Sequence, residues 1–213
     1  MTTVDIVLYD GIDELDFCQP YEILSSCRKL VDGRWSDRSA FQVQTVAEYR
    51  TPVRCAHGLS VIPDKTFEHA PESDIVIVPG GPGAQRDPLP LKMVEFLKQA
   101  SDTADVIASV CTGAFVLAKV GLADHRNLTT HHGRQADLQR LYPKVKVVTG
   151  LRVVTDGRDR LLISTGGITC GIDLALALIS RYEGRDTAAY AAKRLDWPPA
   201  HTPSAAPQFA SVT

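Results

Sequence analysis

Two short, almost wholly apolar segments each run straight into a turn of small residues. The first is Ile75-Val76-Ile77-Val78, which ends in Pro79-Gly80-Gly81-Pro82-Gly83. The second runs from Asp105 to Val110 and ends at Cys111, and an apolar helical pattern follows at once from Thr112 to Val120. A strand without a polar face is covered on both sides, as in a parallel sheet flanked by helices.

The rest of the chain fits that scheme. Strands are predicted at Val4–Tyr9, Phe41–Val46, Leu59–Ile62 and Val145–Val148, with a hairpin of Arg152–Thr155 and Leu161–Ser164 around Asp156-Gly157. A helix is predicted after Asp10-Gly11, carrying Leu15, Tyr21, Ile23, Leu24 and Leu30, with Pro20 in its first turn. Residues 32–39 are polar and read as a loop. Leu91–Ala100, Ile168–Tyr182 and Thr187–Leu195 read as helices. Strands alternating with helices imply an α/β fold with a mostly parallel sheet. Ligands in such sheets bind beyond the carboxyl ends of the strands, where both Gly80-Gly81 and Cys111 fall.

The 213 residues suit one domain, expected over 1–196, with a Pro/Ala/Ser-rich tail over 197–213. A net charge of −2 argues against a nucleic-acid partner. The five cysteines, Cys18, Cys27, Cys55, Cys111 and Cys170, are odd in number and contain no C-x-x-C pair, so no zinc ribbon or thioredoxin motif is formed. Free thiols, no signal-peptide pattern and no membrane-length apolar run lead to the expectation of a cytoplasmic protein. Neither metal nor organic cofactor is expected.

Ser109-Val110-Cys111-Thr112-Gly113 has the logic of a nucleophile elbow, in which crowding at a strained strand-to-helix turn demands small neighbours. The helix N-terminus beside Cys111 is expected to favour the thiolate and set its pKa below that of a free cysteine. The Thr112 N–H is a candidate oxyanion donor, and the N–H groups of Gly80 and Gly81 are further candidates. A buried structural cysteine is the competing reading. Asp16 is either a helix N-cap or a carboxyl reaching the same end of the sheet. His131, in Thr129-Thr130-His131-His132, is either a structural histidine or a partner of the thiol. Gly166 and Ile168 open the long apolar helix, and Asp173 reads as structural.

Taken together and in this order, Leu15-Asp16, Pro79-Gly80-Gly81, the Cys111 elbow, Thr129-Thr130-His131 and Gly166-Gly167-Ile168-Thr169 resemble the DJ-1/PfpI superfamily over residues 4 to 195. The resemblance implies a flavodoxin-like three-layer sandwich, a cysteine nucleophile and a homodimer. Within the superfamily the chain looks most like the isocyanide hydratases. By that likeness Cys111 matches the nucleophile, Asp16 its acidic partner and Thr112 the residue after the nucleophile. The PfpI-type proteases carry histidine where Thr112 stands. The DJ-1 and glyoxalase branches place a glutamate on the first helix, and Glu22 is not in that register. The hydratases read Leu-Asp-Leu-Thr-Gly-Pro where this chain has Leu15-Asp16-Phe17-Cys18-Gln19-Pro20, so Cys18 and Gln19 are expected to line the pocket, with Cys18 weighed as a resolving thiol.

The expected chemistry is hydration of a small-molecule isocyanide to an N-substituted formamide. Cys111 attacks the terminal carbon to give a thioimidate, and Asp16 supplies a proton and then activates water. The alternatives are a glyoxalase-like or deglycase-like reaction on small carbonyls and a non-catalytic ligand or redox sensor. The last resembles the sensor domain of AraC-type regulators, whose end looks like Ala191-Ala192-Lys193-Arg194-Leu195 and Pro198-Pro199. Only 14 residues follow Pro199, so a helix-turn-helix is not expected.

Overall fold

The computed structural model describes residues 1–31 and 33–198. Its strands are β1 (Thr2–Val7), β2 (Arg28–Val31), β3 (Arg34–Ser39), β4 (Phe41–Ala47), β5 (Val53–Arg54), β6 (Ser60–Val61), β7 (Lys65–Thr66), β8 (Ile75–Val78), β9 (Val106–Ser109), β10 (Asn127–Leu128), β11 (Lys146–Val147), β12 (Val153–Asp156) and β13 (Leu161–Thr165). Its α-helices are α1 (Glu14–Ser25), α2 (Leu91–Thr103), α3 (Gly113–Lys119), α4 (Gln135–Leu141), α5 (Cys170–Glu183) and α6 (Arg185–Arg194). Seven strands make the central sheet in the order β12-β13-β9-β8-β1-β4-β7. Every neighbouring pair is parallel except β12 with β13. Helices flank this sheet in a flavodoxin-like α/β arrangement.

The apolar runs take the places their composition requires. All four residues of β8 are buried, as are all four of β9. From β1 the chain first winds outward to β4, then returns to place β8 on the other side of β1 and continues to β9 and β13. The winding direction therefore reverses between β1 and β8, and a crevice opens beyond their carboxyl ends. The turns after β1, β8 and β9 all meet there.

Three local expectations change: the place of Pro20, the loop over 32–39, and Leu30, which falls in β2 because α1 already ends at Ser25. Helix α1 begins at Glu14 because the Asp13 side chain caps it, accepting from Leu15 N–H at 3.2 Å. Pro20, expected in the first turn, therefore lies in the helix interior, where its ring removes the N–H that the Asp16 carbonyl would accept. Residues 32–39, expected as a loop, contain β3, which forms an antiparallel hairpin with β2. Trp35 anchors that hairpin by stacking on Tyr190 of α6, ring centroids 4.1 Å apart, so tertiary packing decides a polar local sequence. The predicted Pro/Ala/Ser-rich tail lies outside the described residues beyond Pro198. Among the described residues, no helix is long and apolar enough to cross a membrane.

Candidate active site

Cys111 ends the β9 segment with φ 54°, in the left-handed region that costs a side-chain-bearing residue about 1–2 kcal/mol. Its surroundings hold it there. The Thr130 hydroxyl donates to the Cys111 carbonyl at 2.8 Å, Val110 N–H donates to Val78 O at 3.0 Å, and Gly113 N–H donates to Val110 O at 2.9 Å. A Cβ on Gly113 would lie 2.1 Å from Val78 O, so only glycine lets α3 start directly against the end of β8.

Asp16 is fully buried on the first turn of α1 and is not the N-cap. Its Oδ2 accepts from Gly80 N–H at 2.9 Å, and the Cys111 thiol lies beside its carboxyl. Oδ1 is buried and has no hydrogen-bond partner. The same Gly80 peptide accepts from Asp13 N–H at 2.9 Å, so the first turn of α1 grips both sides of one glycine. A Cβ on Gly80 would come within 2.5 Å of Thr112 N and 2.7 Å of Asp16 Oδ2. Thr112 secures the next residue: its Oγ1 accepts from Gly81 N–H at 2.8 Å and donates to Gly81 O at 3.2 Å. The N–H groups of Gly80 and Gly81, expected as anion donors, are thus engaged with Asp16 and Thr112. The Thr112 N–H is directed at the Cys111 sulfur.

Burial, reinforced by the charge of nearby Asp13, pushes the Asp16 carboxyl up to about 7. Cys111 rises too, to about 12, chiefly through burial and secondly through the Asp16 charge, with the Thr112 N–H pulling the other way. This corrects the expectation of a depressed thiol. Helix α3 has only seven residues, and one N–H does not offset desolvation beside a carboxyl group. The first proton to leave the pair therefore comes from Asp16, and the sulfur keeps its own. Tyr9 is a site residue the sequence pattern does not single out. Its hydroxyl donates to Pro79 O beneath the Gly80 turn, and its pKa is raised by burial and by the charges of Asp16 and Cys111.

Above Cys111 opens a wide-mouthed cavity of about 400 Å³. Cys111, Thr112 and Gly81 form its base, and Asp13, Pro82 and Gln85 line one part of it. His131, Arg134 and Ile168 line the rest. A cysteine at a strained elbow, a buried carboxyl at its side and an open cavity above suit attack on a small electrophile and proton transfer to the adduct.

A model of the DJ-1/PfpI family matches residues 2–181. The chain belongs to that family. Isonitrile hydratase of Pseudomonas putida is 33% identical over 197 residues, covering 92% of this chain and 79% of that protein. The HTH-type transcriptional regulator GbdR of Pseudomonas aeruginosa is 29% identical across 88% of this chain but only 48% of its own length. A solved THiJ/PfpI family protein from Pseudomonas syringae superposes with a TM-score of 0.75 at 23% identity, covering all of this chain and 79% of that one.

In this DJ-1/PfpI chain several expected site residues lie apart from the thiol. Cys18 and Gln19 do not line the Cys111 cavity. Cys18 is half-buried and has Glu14 and Cys55 as its electrostatic neighbours, while Gln19 packs between α1 and α5 against Gly171. Gly166 lies beside Cys170, its N–H bonded to Arg152 O at 2.9 Å. Ile168 and His131 do face the cavity. His131 Nδ1 accepts from Gly133 N–H at 3.2 Å, which leaves the ring proton on Nε2, and burial together with His132 and Arg134 lowers its pKa. Asp173 bonds Arg152 at 2.5 Å, a structural pair. For a metal, the described residues bring together Asp13, Glu14 and exposed His57, with ligand atoms within 4.8 Å of one another. Asp13 Oδ1 already caps α1, and Glu14 Oε1 accepts from the N–H groups of His57 and Leu59.

Proposed function

We propose that this protein hydrates an isocyanide to the corresponding N-substituted formamide, with Cys111 as nucleophile and Asp16 as the proton carrier. The observation that carries this reading is the Asp16 carboxyl, anchored through Oδ2 to Gly80 N–H, set beside the Cys111 thiol, and poised to change protonation near pH 7. The likeness to isonitrile hydratase supports the choice of substrate.

With the sulfur protonated at rest, Asp16 acts first as a base. It takes the S–H proton as Sγ attacks the terminal isocyanide carbon, and returns that proton to the same carbon, giving the thioimidate Cys111-S–CH=N–R. The Thr112 N–H steadies the sulfur while it carries charge. Water then adds to the carbon. Asp16 removes one water proton and the nitrogen gains one, producing S–CH(OH)–NH–R. The C–S bond breaks, the sulfur leaves with a proton, and R–NH–CHO is released. One water is added overall, and nothing is oxidised or reduced.

The test is formamide production from an aryl isocyanide by wild type, Cys111→Ala and Asp16→Asn. Turnover in the wild type with loss in both variants is expected. A wild type that makes no formamide overturns the reading. The regulator relative favours one other reading, a ligand sensor built on the same domain, which predicts saturable ligand binding without turnover. The reading includes a homodimer, for which light scattering should give twice the chain mass.

A further inference from the structure

The cavity above Cys111 holds one cationic group that the hydration chemistry does not use. Arg134 follows the single turn of 3₁₀-helix at His132–Arg134, and its guanidinium lies 5.7 Å above the Phe115 ring. That contact fixes the plane of the guanidinium at little further entropic cost. Its Nη2 donates to Gln85 Oε1, a neutral acceptor, at 2.6 Å. Its Nη1 makes no hydrogen bond among the described residues, where Nη2 alone is engaged. The nearest carboxylate, Asp137, lies 3.4 Å from Nη2 and is shared, because Asp137 also accepts from Arg140 at 3.0 Å. Around Arg134 itself two guanidinium groups against one carboxylate leave one positive charge in excess, while Asp13 lines another part of the cavity. The Nη1 N–H groups are therefore open to donate a charge-assisted hydrogen bond to an anion that enters the cavity. His131, with its proton on Nε2, lines the same side, and Pro82 and Ile168 supply apolar wall.

We infer that Arg134 selects substrates whose isocyanide group is carried on a short apolar chain ending in a carboxylate. The carboxylate accepts from the Nη1 N–H groups, the chain lies against Pro82 and Ile168, and the isocyanide carbon reaches Cys111. The substrate class rests on the hydratase reading, whereas recognition of the anion does not.

Two experiments separate them. The first compares kcat/KM for an isocyanoalkanoate and its methyl ester. Wild type should prefer the acid by about tenfold or more, Arg134→Gln should bring the ratio near one through KM, and Arg134→Lys should restore part of it. The second measures alkylation of Cys111 by iodoacetate and by the neutral, near-isosteric iodoacetamide, read on the Cys111 peptide by mass spectrometry. The iodoacetate-to-iodoacetamide rate ratio should fall about tenfold in Arg134→Gln and recover in part in Arg134→Lys. Equal ratios in wild type and Arg134→Gln would refute the role of Arg134. If neither isocyanide is hydrated but the alkylation ratio still depends on Arg134, the hydratase reading falls and the anion subsite stands.

Discussion

Replacing Asp16 with Asn should cost the protein its chemistry and raise its stability at neutral pH. Asn keeps the shape of the side chain and an oxygen to accept from Gly80 N–H at the 2.9 Å position, but it has no ionisable proton. In the native state the Asp16 carboxyl stays protonated up to about pH 7, whereas the value for an unperturbed carboxyl is 3.8. Between those pH values the folded chain binds a proton that the unfolded chain has lost. Wild-type stability therefore declines as pH rises through this window, reaching its full loss above the folded value. The gap corresponds to as much as about 4 kcal/mol at pH 8, and nothing at pH 3. Asn is neutral throughout, so urea-unfolding curves of reduced wild type and Asp16→Asn should diverge from pH 4 to pH 8, with the variant gaining. All other titrating groups are common to both chains and cancel. Formamide turnover should meanwhile drop by about 10²–10⁴. A stability difference that stays constant within about 0.5 kcal/mol across that range would show that Asp16 is not held protonated by its burial, and the proton-carrier role would fall with it.

Gly80→Ala drives a Cβ to within 2.5 Å of Thr112 N, so backbone must shift at the site; thermal melts should show a loss of about 1–3 kcal/mol, and kinetics a larger loss of turnover than of fold. Thr112→Val removes the acceptor of the half-buried Gly81 N–H and should cost about 1 kcal/mol in urea unfolding, with kcat falling more than KM rises. The acid limb of the kcat/KM profile should fall away near pH 7 as Asp16 becomes protonated and can no longer take the thiol proton, and a limb near pH 4 would contradict that assignment. Tyr9→Phe loses the hydroxyl that holds Pro79 O, and should lower turnover while leaving the far-UV circular dichroism spectrum unchanged.

The elbow was legible because its chemistry is local. An apolar strand, a cysteine between small residues and an apolar helix leave few ways to turn the chain, and the positive φ at Cys111 follows from them. The Leu15-Asp16 pair was legible only through resemblance, since its local pattern allowed a cap. What distinguished the two readings was Asp13, three residues earlier, which caps the helix and so places Asp16 on the face toward Gly80. Cys18 and Gln19, two and three residues after Asp16, were expected in the pocket with it. Cys18, two residues on, is turned to nearly the opposite side of the helix, whereas Gln19, three residues on, keeps roughly the side of Asp16 but sits a turn further along, where it meets α5 at Gly171.

The acidity of Cys111 shows why local reading fails for charge. A helix N-terminus next to a cysteine is visible in the sequence and predicts a thiolate. Burial of the sulfur decides the matter first, and the two charged groups that reinforce it, Asp16 and Asp13, lie about a hundred residues away and arrive through the β1–β8 junction. Their charges add to the burial of the sulfur and outweigh the Thr112 N–H. The consequence is mechanistic. A standing thiolate would attack isocyanides, alkylating reagents and peroxide without discrimination. A protonated thiol beside a carboxyl that ionises near pH 7 becomes nucleophilic only as that carboxyl takes its proton, which ties attack to a substrate already in place above Cys111. Iodoacetamide should accordingly react with Cys111 more slowly in Asp16→Asn than in wild type at pH 8, where the wild-type carboxylate is available as a base. Faster reaction in the variant would mean that the Asp16 charge merely repels a thiolate, and the base role assigned to it would be lost.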